Sequence, residues 1–388
     1  MSFKKIKLAI LGSTGSIGTT SLKIINKYKN YFNVELLACD KNKKIILSQI
    51  KKFLPKYVII KNKQNFDYLK KIKFKKKIKF FQNLNDFNKQ NKIKFDKVIL
   101  GISSIEGLEY AFSFIKFSKA ILLANKETIV CGGKFFLRKA KKANCKIVSI
   151  DSEHYCLNEC IEIFGLKNIK KFYITASGGP FLNKNKKQIM KINPNIAAKH
   201  PNWKMGKKIS IDSATMANKG LEIIEACNLF NIKSENIMIK IHKESKVHCG
   251  VVLNNNLIFL VAHNTSMTIP IENSLIHNKK NLIEKNFFFN KKNFLFSFDE
   301  SSLKNFKMVS LAYKALKYGD RACIFYNVVN DQLVQLYLNK QIFFYEIYSK
   351  LNKVMNNKKL FKYFKKKITK LSDIYETIQF AKSFQKLY

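Results

Sequence analysis

Through the first 150 residues, short apolar runs alternate with longer stretches that mix apolar and polar positions. The runs at Lys7–Leu11, Val34–Ala38, Tyr57–Ile60, Lys97–Leu100, Ala120–Ala124 and Lys146–Ile150 predict strands. After the first of them, Ile17, Leu22 and Ile25 fall at spacings that lay one helical face on a sheet. Strand–helix alternation of this kind predicts an α/β fold: a doubly wound, Rossmann-type parallel sheet with helices on both faces.

The pattern changes at Asp151. From there to His277, predicted strands at Phe172–Ala176, Ile237–Ile241 and Leu257–Val261 mix with helices and polar loops, as in a central α+β domain. Residues 278–299 are rich in Lys, Asn and Phe and read as a linker. Over 300–388 helical patterns dominate, at Lys307–Tyr318, Ile324–Leu338 and Ile374–Phe384. The expected domains are thus 1–150, 151–277 and a C-terminal helical domain at 300–388. No internal repeat is visible.

Gly12-Ser13-Thr14-Gly15-Ser16-Ile17-Gly18 follows the first strand and opens a helix. Glycines let the backbone approach a pyrophosphate, and the helix N-terminus offers N–H groups to it. The spacing Gly-x-x-Gly-x-x-Gly is one residue longer than the usual dinucleotide fingerprint, so its place between strand and helix carries the reading. The bland alternative is an ordinary tight turn. At the end of the second strand, Asp40 suits the ribose hydroxyl of NAD while Lys41 suits the 2′-phosphate of NADP. The residues leave that choice open.

Asp151 and Glu153 follow the strand that ends at Ile150, and i, i+2 residues on an extended chain point the same way. A second carboxylate source is Asp212–Glu225, where a helix would align Asn218, Glu222 and Glu225 on one face. Oxygen-only ligands suit Mg²⁺ or Mn²⁺ rather than zinc. Solvated surface acids are the bland reading for any one of these residues. Ala176-Ser177-Gly178-Gly179-Pro180 offers a hydroxyl and backbone N–H groups to a phosphate, and Ser213, Asn218 and Lys219 add donors. Between these segments, Lys199–Gly206 holds the only tryptophan, Trp203, in a polar loop suited to a lid. A Trp that merely anchors the loop is the alternative.

Composition adjusts this picture more than it drives it. The net charge of +46 comes from 72 basic and 26 acidic residues, and only Arg138 and Arg321 are arginines. Lys, Asn, Ile, Phe and Tyr are abundant together, the set encoded by A/T-rich codons, so the basicity is read as compositional drift. Guanine readers need arginine forks, and no nucleic-acid partner is expected. The charge still favours anionic small substrates. Eight cysteines without a Cys-x-x-Cys pair suggest core residues in a reducing compartment. No run is long enough for a membrane span. Met1–Lys5 leads straight into a strand-like segment, without room for a signal peptide, so a cytoplasmic location is expected.

Taken together, the strings Gly12–Gly18, Leu122–Glu127, Asp151–His154, Ser177–Phe181, His200–Trp203 and Asp212–Glu222 resemble the 1-deoxy-D-xylulose-5-phosphate reductoisomerase family, in the family's order and at similar spacings. Asn327-Val328-Val329-Asn330-Asp331 is a weaker match in the helical region. The resemblance implies an NADPH-binding domain, a central catalytic and dimerising domain and a helical domain. It implies conversion of 1-deoxy-D-xylulose 5-phosphate to 2-C-methyl-D-erythritol 4-phosphate with NADPH and Mg²⁺ or Mn²⁺, by a homodimer. By position, Asp151, Glu153 and Glu222 would ligate the metal. Ser152, Ser177, His200, Ser213, Asn218 and Lys219 would meet the substrate, with Trp203 and Met205 in the lid. Thr14, Gly15, Ser16, Ile17, Lys41, Asn42, Asn125, Glu127 and Gly206 would line the cofactor site, and Lys126 would sit near the reacting groups.

The sequence departs from the family pattern at Asp40, along Ile241–His248 and at His263–Thr268, which concern cofactor choice, the dimer strands and the cofactor wall. Two other classes compete with this reading. A semialdehyde dehydrogenase needs a cysteine nucleophile beside a histidine, a context no cysteine here has in sequence. A catalytically lapsed lysine-rich binding protein would have no reason to keep three metal-ligating acids.

Overall fold

The structure is a computed structural model and describes residues 4–181, 189, 192–200, 202–203, 206–276, 295–299 and 306–384. Met205 and most of the expected linker lie outside that set. Two compact units are present.

The first unit takes its described residues from Met1–Thr128, Phe136–Asp151 and Met267–Ile283. It runs β1 (Ile6–Leu11), α1 (Ser16–Lys27), β2 (Phe32–Cys39), α2 (Lys43–Phe53), β3 (Tyr57–Ile60), α3 (Lys63–Lys70), β4 (Lys79–Phe81), α4 (Leu84–Gln90), β5 (Phe95–Leu100), α5 (Glu106–Phe114), β6 (Ser118–Leu123), α6 (Lys126–Lys142) and β7 (Lys146–Ser149). All seven strands are parallel, in the order β4-β3-β2-β1-β5-β6-β7. The order reverses between β1 and β5, the switch point at which doubly wound sheets bind ligands. Leu8, Ile10, Val58, Ile60 and Ile99 are fully buried, which explains why these strands read as continuous apolar runs rather than alternating ones.

The helix α11 (Thr268–Ile276) also belongs to this unit. The sequence reading placed those residues in the central domain. Instead, Ile271 and Leu275 enter the apolar cluster of the first sheet. The Tyr28 hydroxyl donates to Glu272 at 2.6 Å, and Lys97 donates to the carbonyls of Ser274 and Leu275 at 2.7 and 2.9 Å. A lysine on the last carbonyls is a common way to close a helix.

The second unit takes Ile129–Phe135, Ser152–Ser266 and the described residues of Glu284–Tyr388. Helix α6 contributes its Ile129–Phe135 stretch here, with a break in helical geometry at Gly133 (φ 49°, ψ −148°). The unit continues through α7 (Ser152–Phe164), β8 (Ile169–Ala176), α8 (Pro194–Ala197), α9 (Lys207–Thr215), α10 (Ala217–Phe230), β9 (Ile237–Ile241), β10 (Val247–Leu253) and β11 (Ile258–Ala262). The four strands form a sheet in the order β11-β10-β8-β9, with only the β8–β9 pair parallel. The departing segment 241–268 therefore still builds strands.

Five helices follow: α12 (Lys307–Tyr318), α13 (Asp320–Leu338), α14 (Phe344–Met355), α15 (Lys358–Phe364) and α16 (Leu371–Ser383). α13 is buried almost all round from Arg321 to Asn330, as expected of a central helix. Arg321 ties its neighbours together: Nη1 donates to Tyr363 and Thr377 at 2.8 and 2.6 Å, and Nε donates to the Lys366 carbonyl at 3.2 Å. Among the described residues no helix is long and apolar enough to cross a membrane. All eight cysteines are buried, and none forms a disulfide.

Candidate active site

In the first unit the glycine turn sits at the switch point. Gly12 has φ +80°, and a Cβ on it would lie 2.9 Å from the Gly101 backbone. A Cβ on Gly18 would lie 2.4 Å from the Gly12 carbonyl oxygen. Neither position has room for another residue. Gly101, which follows β5, escaped the sequence reading because only sheet pairing brings it to Gly12. Gly15 caps α1 without a side-chain hydrogen bond, leaving the first-turn N–H groups of Ser16, Ile17 and Gly18 to face an anion. Lys41 is exposed beyond β2, and Asn42 caps α2 by accepting from the Ile45 N–H at 3.2 Å.

Asn125, expected to line the cofactor site, is 3% exposed and has a second task. Its Oδ1 caps α6 on the Thr128 N–H at 2.8 Å, and its Nδ2 donates to the carbonyls of Ile102 and Ser104. It thereby holds the loop after β5 in place. Glu127 follows in the first turn of α6. The Lys126 ammonium lies 2.9 Å from Asp151 Oδ2, both side chains nearly buried.

The reason given for pairing Asp151 with Glu153 needs correction. β7 ends at Ser149 and α7 begins at Ser152, so Glu153 stands on a first helical turn and strand alternation does not apply. Within the second unit, Lys219 binds both Glu153 and Glu222, the latter at 2.6 Å. Asn218 donates to the other oxygen of Glu222, and Ser152 donates to Glu153. Glu222 is fully buried and Glu153 partly so, and the Lys219 ammonium between them supplies the positive charge that adjacent carboxylates call for. The donor atoms are all oxygen, the set that suits a hard divalent ion. Behind Glu222, His154 bonds the Glu222 carbonyl at 2.9 Å through Nε2 and approaches Glu225 at 3.5 Å through Nδ1. This support escaped the sequence reading because α7 and α10 are far apart in the chain.

A phosphate-sized group of donors lies nearby in the same unit. Gly178 and Gly179 have φ +82° and +68°, and a Cβ on Gly179 would lie 2.8 Å from the Ser213 carbonyl oxygen. The two-glycine turn thus lies flat against the end of α9. His200 Nδ1 accepts the backbone N–H groups of Asn202 and Trp203 at 3.1 and 3.0 Å. Its proton therefore resides on Nε2, 3.1 Å from Ser177 Oγ. Ser177 Oγ also accepts from the Gly179 N–H at 3.2 Å, leaving its own proton to donate outward. Burial first, then the Lys219 charge, pulls His200 down to about 4, so it is a neutral donor.

Trp203 meets His248 edge-on at 6.0 Å, and His248 stacks on His263 at 3.8 Å. Gly206 caps α9. One expectation about cysteines changes here: Cys156, two residues after His154 in the chain, has its thiol drawn downward by a hydrogen bond with Cys249 and then by His263 of a distant segment. Cys156 is fully buried, so no substrate reaches it.

With this geometry in hand, comparison with known proteins is informative. The family profile for 1-deoxy-D-xylulose 5-phosphate reductoisomerase matches residues 8–133, and the profiles for C-terminal domains of that enzyme match 147–230 and 263–384. The enzyme of that name from Pelagibacter ubique is 39% identical over 363 residues, covering 90% of this chain and 91% of its own. That from Clostridium novyi is 36% identical, covering 98% of each. A DOX-P reductoisomerase solved with NADPH, fosmidomycin and magnesium superposes with a TM-score of 0.88 at 29% identity, covering 98% of each chain. The Zymomonas mobilis enzyme, solved with NADPH, gives 0.86 at 26% identity over 98% of each.

Proposed function

The chain belongs to the 1-deoxy-D-xylulose 5-phosphate reductoisomerase family, and from that premise we propose how its residues divide the work. The enzyme converts 1-deoxy-D-xylulose 5-phosphate to 2-C-methyl-D-erythritol 4-phosphate, using NADPH and magnesium, in the non-mevalonate route to isoprenoids.

Asp151, Glu153 and Glu222 hold the divalent ion. The observation that carries this assignment is the Lys219 ammonium shared by Glu153 and buried Glu222, a pair of acids that needs positive charge. When bound, the ion supplies a Lewis acid for the carbonyl and hydroxyl oxygens, and NADPH supplies the hydride. Ser177, neutral His200, Ser213, Asn218 and Lys219 grip the substrate phosphate and neighbouring hydroxyls. That remote binding energy keeps the two fragments of a retro-aldol cleavage in register for re-addition. Ser152 touches the substrate and Lys126 sits beside the reacting groups, while Trp203 and Met205 close over them and exclude water.

Thr14, Gly15, Ser16 and Ile17 take the pyrophosphate of NADPH. Lys41, with Asn42, takes the 2′-phosphate, against the repulsion of Asp40. Asn125, Glu127 and Gly206 complete the cofactor wall. In domain terms, 1–150 together with α11 binds NADPH, 152–266 carries catalysis and dimerisation, and the helices from α12 onward support it.

The homodimer assignment draws on β11, an edge strand that exposes Ile258 (62%), Phe259 (38%) and Leu260 (45%). An apolar edge of that kind calls for a partner strand. Eight cysteines without a disulfide fit the reducing cytoplasm. The decisive assay follows NADPH oxidation at 340 nm with the ketose phosphate and Mg²⁺, then repeats it with NADH. A folded enzyme that leaves NADPH unoxidised would overturn the reading.

A further inference from the structure

The Asn327–Asp331 string has no part in the chemistry above, yet one of its residues and one neighbour on α13 reach the segment that carries the phosphate donors. Asn330 is fully buried and its Nδ2 donates to Asp212 Oδ1 at 2.8 Å. Asp212, 1% exposed, also receives Lys208 at 2.9 Å. One turn earlier on the same face of α13, the Tyr326 hydroxyl donates to the carbonyls of Met308 at 3.2 Å and Ala217 at 3.5 Å. A Cβ on Gly220 would come within 2.3 Å of that hydroxyl, so α10 is pressed against it.

These contacts flank a sharp elbow. α9 ends and α10 begins at Met216, whose backbone is left-handed (φ 64°, ψ 11°) and therefore strained for a non-glycine residue. Asp212 stands before the elbow and Ala217 after it. Ser213 adjoins Asp212, and Asn218 and Lys219 occupy the first turn of α10. The Oδ1 of Asn330 is buried without a hydrogen-bond partner. The amide thus spends its hydrogen bonding at this position on Asp212.

We propose that Asn330 is a positioning residue: through Asp212 it fixes the α9–α10 elbow, and with it the donors of Ser213, Asn218 and Lys219, for the substrate phosphate. The inference rests on the assignment of those three residues to the substrate made above.

The test is steady-state kinetics on Asn330→Leu, Ser213→Ala, Asn330→Asp and the exchanged pair Asp212→Asn/Asn330→Asp. Losing one hydrogen bond to a charged partner should raise the KM for 1-deoxy-D-xylulose 5-phosphate about tenfold in Asn330→Leu. The kcat and the KM for NADPH should stay near those of the parent, and Lys208, which still pairs with Asp212, should limit the fall in melting temperature. Asn330→Asp, which opposes two carboxylates, should be worse, and the exchanged pair should restore the KM. A lowered melting temperature with an unchanged KM, or an exchanged pair no better than Asn330→Asp, overturns the proposal. If Ser213→Ala raises the KM and Asn330→Leu does not, the proposal alone fails. If Ser213→Ala leaves the KM unchanged, the phosphate assignment itself fails and takes this inference with it.

Discussion

The Nε2 of His200 lies 3.1 Å from the Oγ of Ser177, and the backbone N–H groups of Asn202 and Trp203 on the other ring nitrogen decide which of the two donates. A neutral imidazole is thereby built into the proposed phosphate subsite, and its loop is held through it. Asn202 extends that hold by donating to the Lys243 carbonyl and Ser245 Oγ at 2.8 and 3.0 Å.

Protonation of His200 is the first prediction. Its folded value, about 4, lies below the ordinary 6.5, so between those values the unfolded chain binds a proton that the folded chain refuses. Stability should therefore fall as pH drops from 6.5 towards 4. His248, drawn to about 4 chiefly by burial and then by His263, adds to the same trend. NMR titration of the imidazole resonances checks this; a His200 that titrates above pH 6 refutes it.

Glu222→Gln keeps the shape of the side chain and removes its charge. Since even supporting residues around a metal are worth 10–100-fold, turnover should fall by at least about a hundredfold. NADPH affinity, read by fluorescence titration, should not change, because the cofactor turn is built by other residues. Joint loss of both would contradict the division of labour.

Gly18→Ala forces a methyl group against the Gly12 carbonyl, 2.4 Å away. Overpacking of this kind costs about 1–3 kcal/mol. The urea midpoint should drop accordingly, and the KM for NADPH should rise more than that for the ketose phosphate. A variant with parental midpoint and kinetics would show that the turn is looser than described.

Arg321→Lys separates stability from catalysis. Lysine has no fork to serve Tyr363, Thr377 and the Lys366 carbonyl together. The cost should be about 1.5–3 kcal/mol, the range for hydrogen bonds of a charged group. It appears as an earlier thermal transition with both KM values kept; a shifted KM with an unchanged transition would argue against this role.

Ile258→Asp puts a charge on the most exposed of the large apolar side chains of β11. Sedimentation should show twice the 45.1 kDa chain mass for the parent and a single chain for the variant. An unaltered sedimentation coefficient would move the interface elsewhere.

Much of this was legible in the chain because it is local. The glycine turn and the buried parallel strands each occupy a few consecutive residues, and their periodicity or spacing states their geometry. What stayed hidden depends on distant contacts. Gly101 matters only because β5 pairs with β1, and Asn330 only because α13 reaches Asp212. The short strand β4 lies beside a lysine run, and its apolar pair Phe80-Phe81 is too brief to read as a strand. α11 returns to the first sheet through Ile271 and Leu275, whose destination no local pattern reveals. Asn125 was placed by its motif, yet its double duty as helix cap and loop strut needed the coordinates.

The mutual closeness of Gly12, Gly18 and Gly101 bears on how this enzyme can evolve under drug pressure. An inhibitor that leans on this turn meets a surface where nearly every codon change would damage the backbone before it could dislodge the compound. Escape would have to arise at exposed positions away from the turn, where a side chain can change without straining the backbone.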